Sequence, residues 1–227
     1  MNVSENFKKI RTNITLACEK VGRDPSEVTV IAVTKYVSVE RAFAAVESGV
    51  KHLGENRPEG LLAKQKSKLS SQDICWHFIG TLQSRKVKDV VNHIDMLHSL
   101  DRLSVAKEIE KRSESVINCF VQVNVSGEES KHGITEADLD SFIEQLSQYK
   151  KIRVIGLMTM APHTENKTLI RTVFKRLKNC QLRIQEKAYP HAPCNELSMG
   201  MSNDYEIAIE EGATFVRIGT ALVGHEE

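Results

Sequence analysis

Lys35 follows directly on an apolar run, residues 28–34 (VTVIAVT), and residues suited to a helix start come after it. An amine held at the mouth of a buried strand is expected to be poorly solvated. In that setting an uncharged amine attacks an aldehyde to form a Schiff base. A lysine at a strand end is also an ordinary surface residue, so this reading depends on the rest of the chain. Near the other end, Ser198-Met199-Gly200-Met201-Ser202 precedes a helical stretch from Asp204, and Arg217-Ile218-Gly219-Thr220 closes another apolar run. Small residues at such places can turn bare N–H groups toward an anion. Thr220 adds a hydroxyl, and Arg217 a permanent positive charge. Taken singly, Gly200, Gly219 and Gly224 equally suit turns, and the two serines suit helix caps.

The elements that must position these groups are legible as a regular alternation. Strand-like runs cover residues 28–34, 50–54, 75–80, 96–100, 117–125, 154–160, 195–199 and 214–218. Helical patterns cover 39–48, 59–69, 84–91, 103–111, 137–148, 167–186 and 204–210. Ahead of them, Phe7, Ile10, Ile14 and Ala17 recur at helical spacing, so an extra amino-terminal helix is expected, ended by Asp24-Pro25. Strict strand–helix alternation predicts a parallel sheet. Continuously apolar strands predict that both faces are covered. Eight such units in one domain spanning residues 1–227 suit an α/β fold of the (β/α)8 TIM-barrel type. An open doubly wound sheet would want a glycine-rich turn after its first strand, and Thr34-Lys35-Tyr36 has none.

A barrel turns the polar residues into a constellation. Active sites form at the carboxyl ends of the strands, and phosphate sits in the loops after the seventh and eighth. Those loops hold Ser198–Ser202 and Gly219-Thr220 here. Around a closed ring the eighth strand pairs with the first, which brings Lys35 beside the phosphate loops. A ligand with an aldehyde at one end and a phosphate at the other would bridge them, and pyridoxal 5'-phosphate (PLP) is such a molecule.

The formal net charge of +1 offers no footprint for nucleic acid or an anionic membrane. No stretch approaches the apolar length of a bilayer span, and the amino terminus has no apolar leader core. The five cysteines, at 18, 75, 119, 180 and 194, are unpaired in spacing, which suits a reducing cytoplasm. The eight histidines show no metal-like spacing, so no metal site is expected. His77, inside an apolar strand, reads as a satisfied core residue, and Cys194 as a buried inert thiol. Glu128-Glu129-Ser130-Lys131 reads as a lip of the site.

The motifs VTVIAVTKY, HLGENR, WHFIGTLQSRK, VNVSGEESKHG, GLMTMAP and LSMGMSNDYEIAIEEGATFVRIGTALVG span essentially the whole chain. Through them the sequence resembles the YggS/PROSC family of pyridoxal phosphate homeostasis proteins, which is similar to the barrel domain of alanine racemase. One departure is Leu82-Gln83-Ser84-Arg85-Lys86, where the family usually reads LQxNK. The resemblance implies a Schiff base on Lys35, Asn56 beside the ring, and Ser198, Met199, Gly219 and Thr220 on the phosphate. It implies Arg217 at the pyridine nitrogen. An arginine there is a poor proton donor, which leaves the ring a weak electron sink. The implied role is PLP homeostasis: masking the aldehyde, buffering its pool and supplying apoenzymes, with indirect effects on amino-acid and keto-acid metabolism. Racemisation needs a second acid or base, which alanine racemase takes from a further domain that has no room after Glu227. A non-catalytic monomer is therefore expected. The alternatives are a PLP enzyme with weak racemase or lyase activity, and a Schiff-base aldolase without cofactor.

Overall fold

The computed structural model describes residues 2–127 and 132–226; the expected lip at 128–131 lies outside them. Among the described residues nine strands follow one another as β1 (Thr29–Val33), β2 (His52–Glu55), β3 (Cys75–Phe78), β4 (Met96–Leu100), β5 (Ile117–Asn124), β6 (Ile134–Thr135), β7 (Ile152–Met158), β8 (Glu196–Ser198) and β9 (Phe215–Ile218). All of their pairings are parallel, in the order β4-β3-β2-β1-β9-β8-β7-β5, and the β4–β5 pairing closes the ring. The two-residue β6 adds to β5 outside this ring. Eight strands thus form a closed barrel, as the alternation predicted.

The α-helices are α1 (Val3–Lys20), α2 (Val39–Glu47), α3 (Pro58–Gln65), α4 (Leu103–Arg112), α5 (Leu139–Leu146), α6 (Lys167–Glu186), α7 (Tyr205–Glu210) and α8 (Thr220–Val223). Helix α1 starts where the Asn2 side chain accepts from Ser4 N and Glu5 N, and buries Ile10, Ile14 and Ala17. It lies against the last two helices, with Asn13 donating to Tyr205 OH at 2.9 Å and Asn6 to Leu222 O at 2.9 Å.

Two expected helices differ from what forms, and two short elements were not expected. Residues 84–91, read as α-helix, make two 3-10 turns, Ser84–Asp89 and Val91–His93. Val87 and Val90, both buried, are three residues apart, which matches the three-residue turn of a 3-10 helix. The helix expected over 59–69 ends at Gln65 and gives way to a 3-10 turn over Lys68–Ser71. Strand β6 and helix α8 are two and four residues long, too short for hydrophobic periodicity to announce.

The core has two layers. Most apolar side chains pack between the barrel and its helices. Inside the barrel, Ile31, Phe120, Met158 and Phe215 form a separate small cluster. His98 stacks on Phe120 with ring centres 4.3 Å apart, and Phe120 meets Phe215 edge-on at 5.4 Å. Inward positions alternate along each strand, so His52, His77 and His98 share this interior with the aromatic rings. Among the described residues no helix is long and apolar enough to cross a membrane.

Candidate functional site

A cavity of about 1150 Å³ opens at the carboxyl ends of the strands, walled by the loops after β1, β2, β3, β7, β8 and β9. Lys35, Asn56, Arg217, Gly219 and Thr220 line it together. Residues 182 positions apart in the chain meet because β1 and β9 are register partners, Ile31 opposite Arg217 and Ala32 opposite Ile218.

Lys35 projects from a turn in which Val37 N donates to Thr34 O at 3.2 Å. It is exposed, its Nζ 5.0 Å from the centre of the Tyr36 ring. The poor solvation expected from the sequence is therefore corrected: the turn carries the amine off the end of the strand and over the cavity rim. Beneath it the loop is anchored by a buried polar cluster. Thr34 Oγ1 donates to Glu55 Oε1 at 2.6 Å, and Lys64 Nζ pairs with the same oxygen at 3.0 Å. Glu55 Oε2 has no partner. The next residue, Asn56, is pressed against Gly80, where an added Cβ would lie 2.3 Å from the Asn56 carbonyl oxygen. Only glycine permits that approach.

The loops after β8 and β9 form one cradle. Ala221 N donates to Ser202 Oγ at 3.3 Å, joining them. Met201 N is held by Asp204 Oδ1 at 2.5 Å. Gly200 takes a φ of +94°, with Ala208 and Tyr205 packed where a Cβ would go, so a side chain there is excluded twice. Gly219 caps α8; Leu222 N and Val223 N turn back to its carbonyl oxygen at 2.8 and 2.9 Å. With Ala221 N on Ser202, this leaves Thr220 N as the first-turn N–H without a partner inside the helix. Ser198 and Met199, expected in this cradle, are placed below it and are fully buried. Met199 N donates to Phe215 O at 3.1 Å, and Ser198 Oγ is engaged by Arg217 and His98. Ser202 occupies the position at the cavity wall instead. The shift of four residues follows from the strand: β8 ends at Ser198, and the loop must first climb out of the barrel.

Arg217 is buried, donating from its two terminal nitrogens to Ser198 Oγ at 2.6 Å and Thr159 O at 2.9 Å. Burial lowers its pKa to about 10, against the favourable charge of Asp204, so it stays cationic at neutral pH. Burial likewise pushes the Asp204 carboxyl above its usual range.

Below Arg217 the barrel interior carries a line of histidines that sequence spacing did not disclose. His98 Nδ1 lies 2.8 Å from Ser198 Oγ, His98 Nε2 2.8 Å from His77 Nδ1, and His77 Nε2 2.9 Å from His52 Nδ1. Burial drives the His77 pKa down to about 3 and that of His98 well below its usual value. His52, Cys75 and His77 also bring potential metal ligands within 4.8 Å of one another, a grouping unforeseen because it spans two strands. His77 Nε2 is already committed to His52 there, and burial with the nearby Asp95 pushes the Cys75 thiol to about 12. Cys194 is buried, its thiol raised to about 12 by burial. The third group missed is the segment after β7, where Ala161, His163, Glu165 and Lys167 face the cavity; its length in the sequence is that of an ordinary connection and gave no signal.

A closed barrel with a rim lysine facing an anion cradle defines a class, and the model of the family described as alanine racemase, N-terminal domain, matches residues 6–227. The fold is similar to alanine racemase of Clostridium difficile 630 (TM-score 0.73, 15% identity, 99% of this chain and 57% of that one). The chain is 39% identical to the pyridoxal phosphate homeostasis protein of Aquifex aeolicus over 100% of both chains, and 33% identical to that of Escherichia coli K12 over 98% and 96%. PipY of Synechococcus elongatus PCC7942, solved with PLP bound, superimposes with a TM-score of 0.85 at 30% identity, covering 98% of this chain and 100% of that one. The chain belongs to the family of the pyridoxal phosphate homeostasis proteins.

Proposed function

We propose that this protein binds PLP in the cavity at the barrel mouth and serves PLP homeostasis, holding the cofactor and supplying it to apoenzymes. The observation that carries the reading is the convergence of Lys35, Arg217 and the Ser202–Gly219–Thr220 cradle on one cavity. The donor set suits the ligand: the Ser202 and Thr220 hydroxyls and the Thr220 N–H at a helix start for a phosphate, a permanently charged guanidinium for the ring nitrogen, and an amine on an exposed turn for the aldehyde. The buried carboxylate at the wall, Asp204, is turned onto Met201 N. PLP in such a site supplies an aldehyde that a lysine amine engages covalently with loss of water. Asn56, pinned by Gly80, flanks the ring, and Thr34, Glu55 and Lys64 hold the turn that presents Lys35. In this reading Ser202, at the cavity wall, takes the place at the phosphate that the sequence suggested for the buried Ser198 and Met199, and Ser198 acts on Arg217.

The exposure of Lys35 and the openness of its turn suit a holder that gives up its ligand. In this reading one barrel domain, as a monomer in the cytoplasm, does the work without a dedicated reaction. Purified protein mixed with PLP is expected to turn yellow. Borohydride is then expected to bleach the colour and leave a pyridoxyl mass on the Lys35 peptide, with none in Lys35→Ala. Colourless protein, or label on another lysine, sinks the assignment. Chiral chromatography after incubation with L-amino acids tests the racemase alternative, which requires D-enantiomer to accumulate.

A further inference from the structure

We infer that Ser198, His98, His77 and His52 form a one-directional hydrogen-bond relay that sets the orientation of Arg217 from inside the barrel and reaches its opposite mouth. The inference rests on the PLP reading for its functional consequence, and on geometry alone for its existence. Four successive contacts, of 2.6, 2.8, 2.8 and 2.9 Å, join Arg217 to His52. Ser198 and His98 are fully buried, as is His77, and Arg217 is 4% exposed.

The direction follows from what each group can do. A guanidinium only donates, so Ser198 Oγ accepts from Arg217. The Ser198 hydroxyl proton is then left for His98 Nδ1; the opposite arrangement would strand it in an interior where an unsatisfied donor is costly. A neutral imidazole that accepts at Nδ1 must carry its proton on Nε2. His98 therefore donates from Nε2 to His77 Nδ1, and His77 donates from Nε2 to His52 Nδ1. His52, half-buried, ends the line with its own Nε2–H. One permanent donor thus dictates three tautomers on three adjacent strands. Burial of His77 and His98 keeps them neutral, as the line requires.

The consequence concerns Arg217. Its terminal nitrogens donate to Ser198 Oγ and Thr159 O, so the plane of the guanidinium is set by two fixed acceptors in a residue that lines the cavity. Ser198 and the three histidines are positioning residues: they touch no ligand and act through the arginine. A neutral, aligned relay also presents no second positive charge behind Arg217 to compete for the serine oxygen.

The test begins with ligand-free protein labelled with 15N-histidine, using long-range proton–nitrogen correlations to assign tautomers at neutral pH. His52, His77 and His98 are each expected to be neutral with the proton on Nε2. An Nδ1–H tautomer or a charged ring at any of the three overturns the relay. In Ser198→Ala the enforced direction disappears, and mixed tautomers are expected not only at His98 but at His77 and His52 as well. Ser198→Thr, which keeps the hydroxyl, is expected to restore the single set. Loss of a hydrogen bond to a charged group corresponds to roughly tenfold weaker PLP binding in Ser198→Ala, recovered in Ser198→Thr. Tautomers in Ser198→Ala unchanged at His77 and His52, or PLP affinity unchanged, would refute the relay. Wild-type protein that shows the three tautomers but fails to bind PLP would instead refute the PLP reading alone, and if Ser198→Ala does not fold, the wild-type spectrum still decides the direction.

Discussion

Lowering the pH should destabilise this protein before its carboxylates titrate, because His77 must stay neutral in the barrel. Its pKa in the folded state is about 3, driven down first by burial and then by His52, whereas in the unfolded chain it returns to the ordinary value of about 6.5. Between those values the unfolded state binds a proton that the folded state refuses, so stability falls as the pH drops. Stabilisation is complete above about pH 6.5 and is lost progressively below it. At about pH 5 this one residue costs about 2 kcal/mol relative to about pH 7.5. His98 acts in the same sense, its pKa lowered by burial, His77 and Arg217, and so does His52, lowered mainly by burial. The assay is urea unfolding at a series of pH values between those limits, with wild type compared against His77→Gln. The variant lacks the titrating ring, so its stability should depend less on pH by about 2 kcal/mol over the range. Wild-type stability that stays flat to about pH 5, or a variant with an undiminished slope, refutes the reasoning.

Further outcomes follow from other parts of the site. Glu55→Gln removes one partner of a buried ion pair whose side chains are 1% and 7% exposed; the cost is expected to be about 3–5 kcal/mol in urea unfolding. Adding Lys64→Met should recover much of that loss, and a double variant as unstable as the single one would show that charge burial is not the cause. Thr220→Val removes a cavity hydroxyl from the anion cradle and should weaken PLP binding about tenfold by equilibrium titration. The same change should leave pyridoxal, which lacks the phosphate, unaffected; equal losses for both would place Thr220 elsewhere. Gly80→Ala puts a Cβ 2.3 Å from the Asn56 carbonyl oxygen and should cost about 1–3 kcal/mol by displacing the Asn56 loop. Undisturbed stability with unchanged PLP affinity would contradict that contact.

The order of the elements was legible because each strand or helix carries its own period in a short window. Eight strand runs, the amphipathic first helix and the choice of a parallel, closed arrangement needed nothing beyond local pattern and the crossover rule. The gathering of Lys35, Asn56, Arg217, Gly219 and Thr220 around one cavity was legible too, since a barrel collects whatever follows its strands. That Ser202 lies at the cavity wall while Ser198 is buried was not, because one strand residue more or less decides whether a side chain reaches the rim or stays inside.

The sequence by itself determined which residues end the strands and which chemistry those residues can do. Only the tertiary structure decided the histidine line, since His52, His77 and His98 stand on three different strands and the register staggers them by two residues from one strand to the next, Gly54 opposite His77 and His77 opposite Met96, which keeps all three on the inner face. It also decided that Lys35 stands exposed on a turn while Arg217 is buried. The physical reason is the same in each case: solvation and hydrogen-bond partners are properties of a side chain's neighbours in space, and a closed barrel chooses those neighbours from strands far apart along the chain.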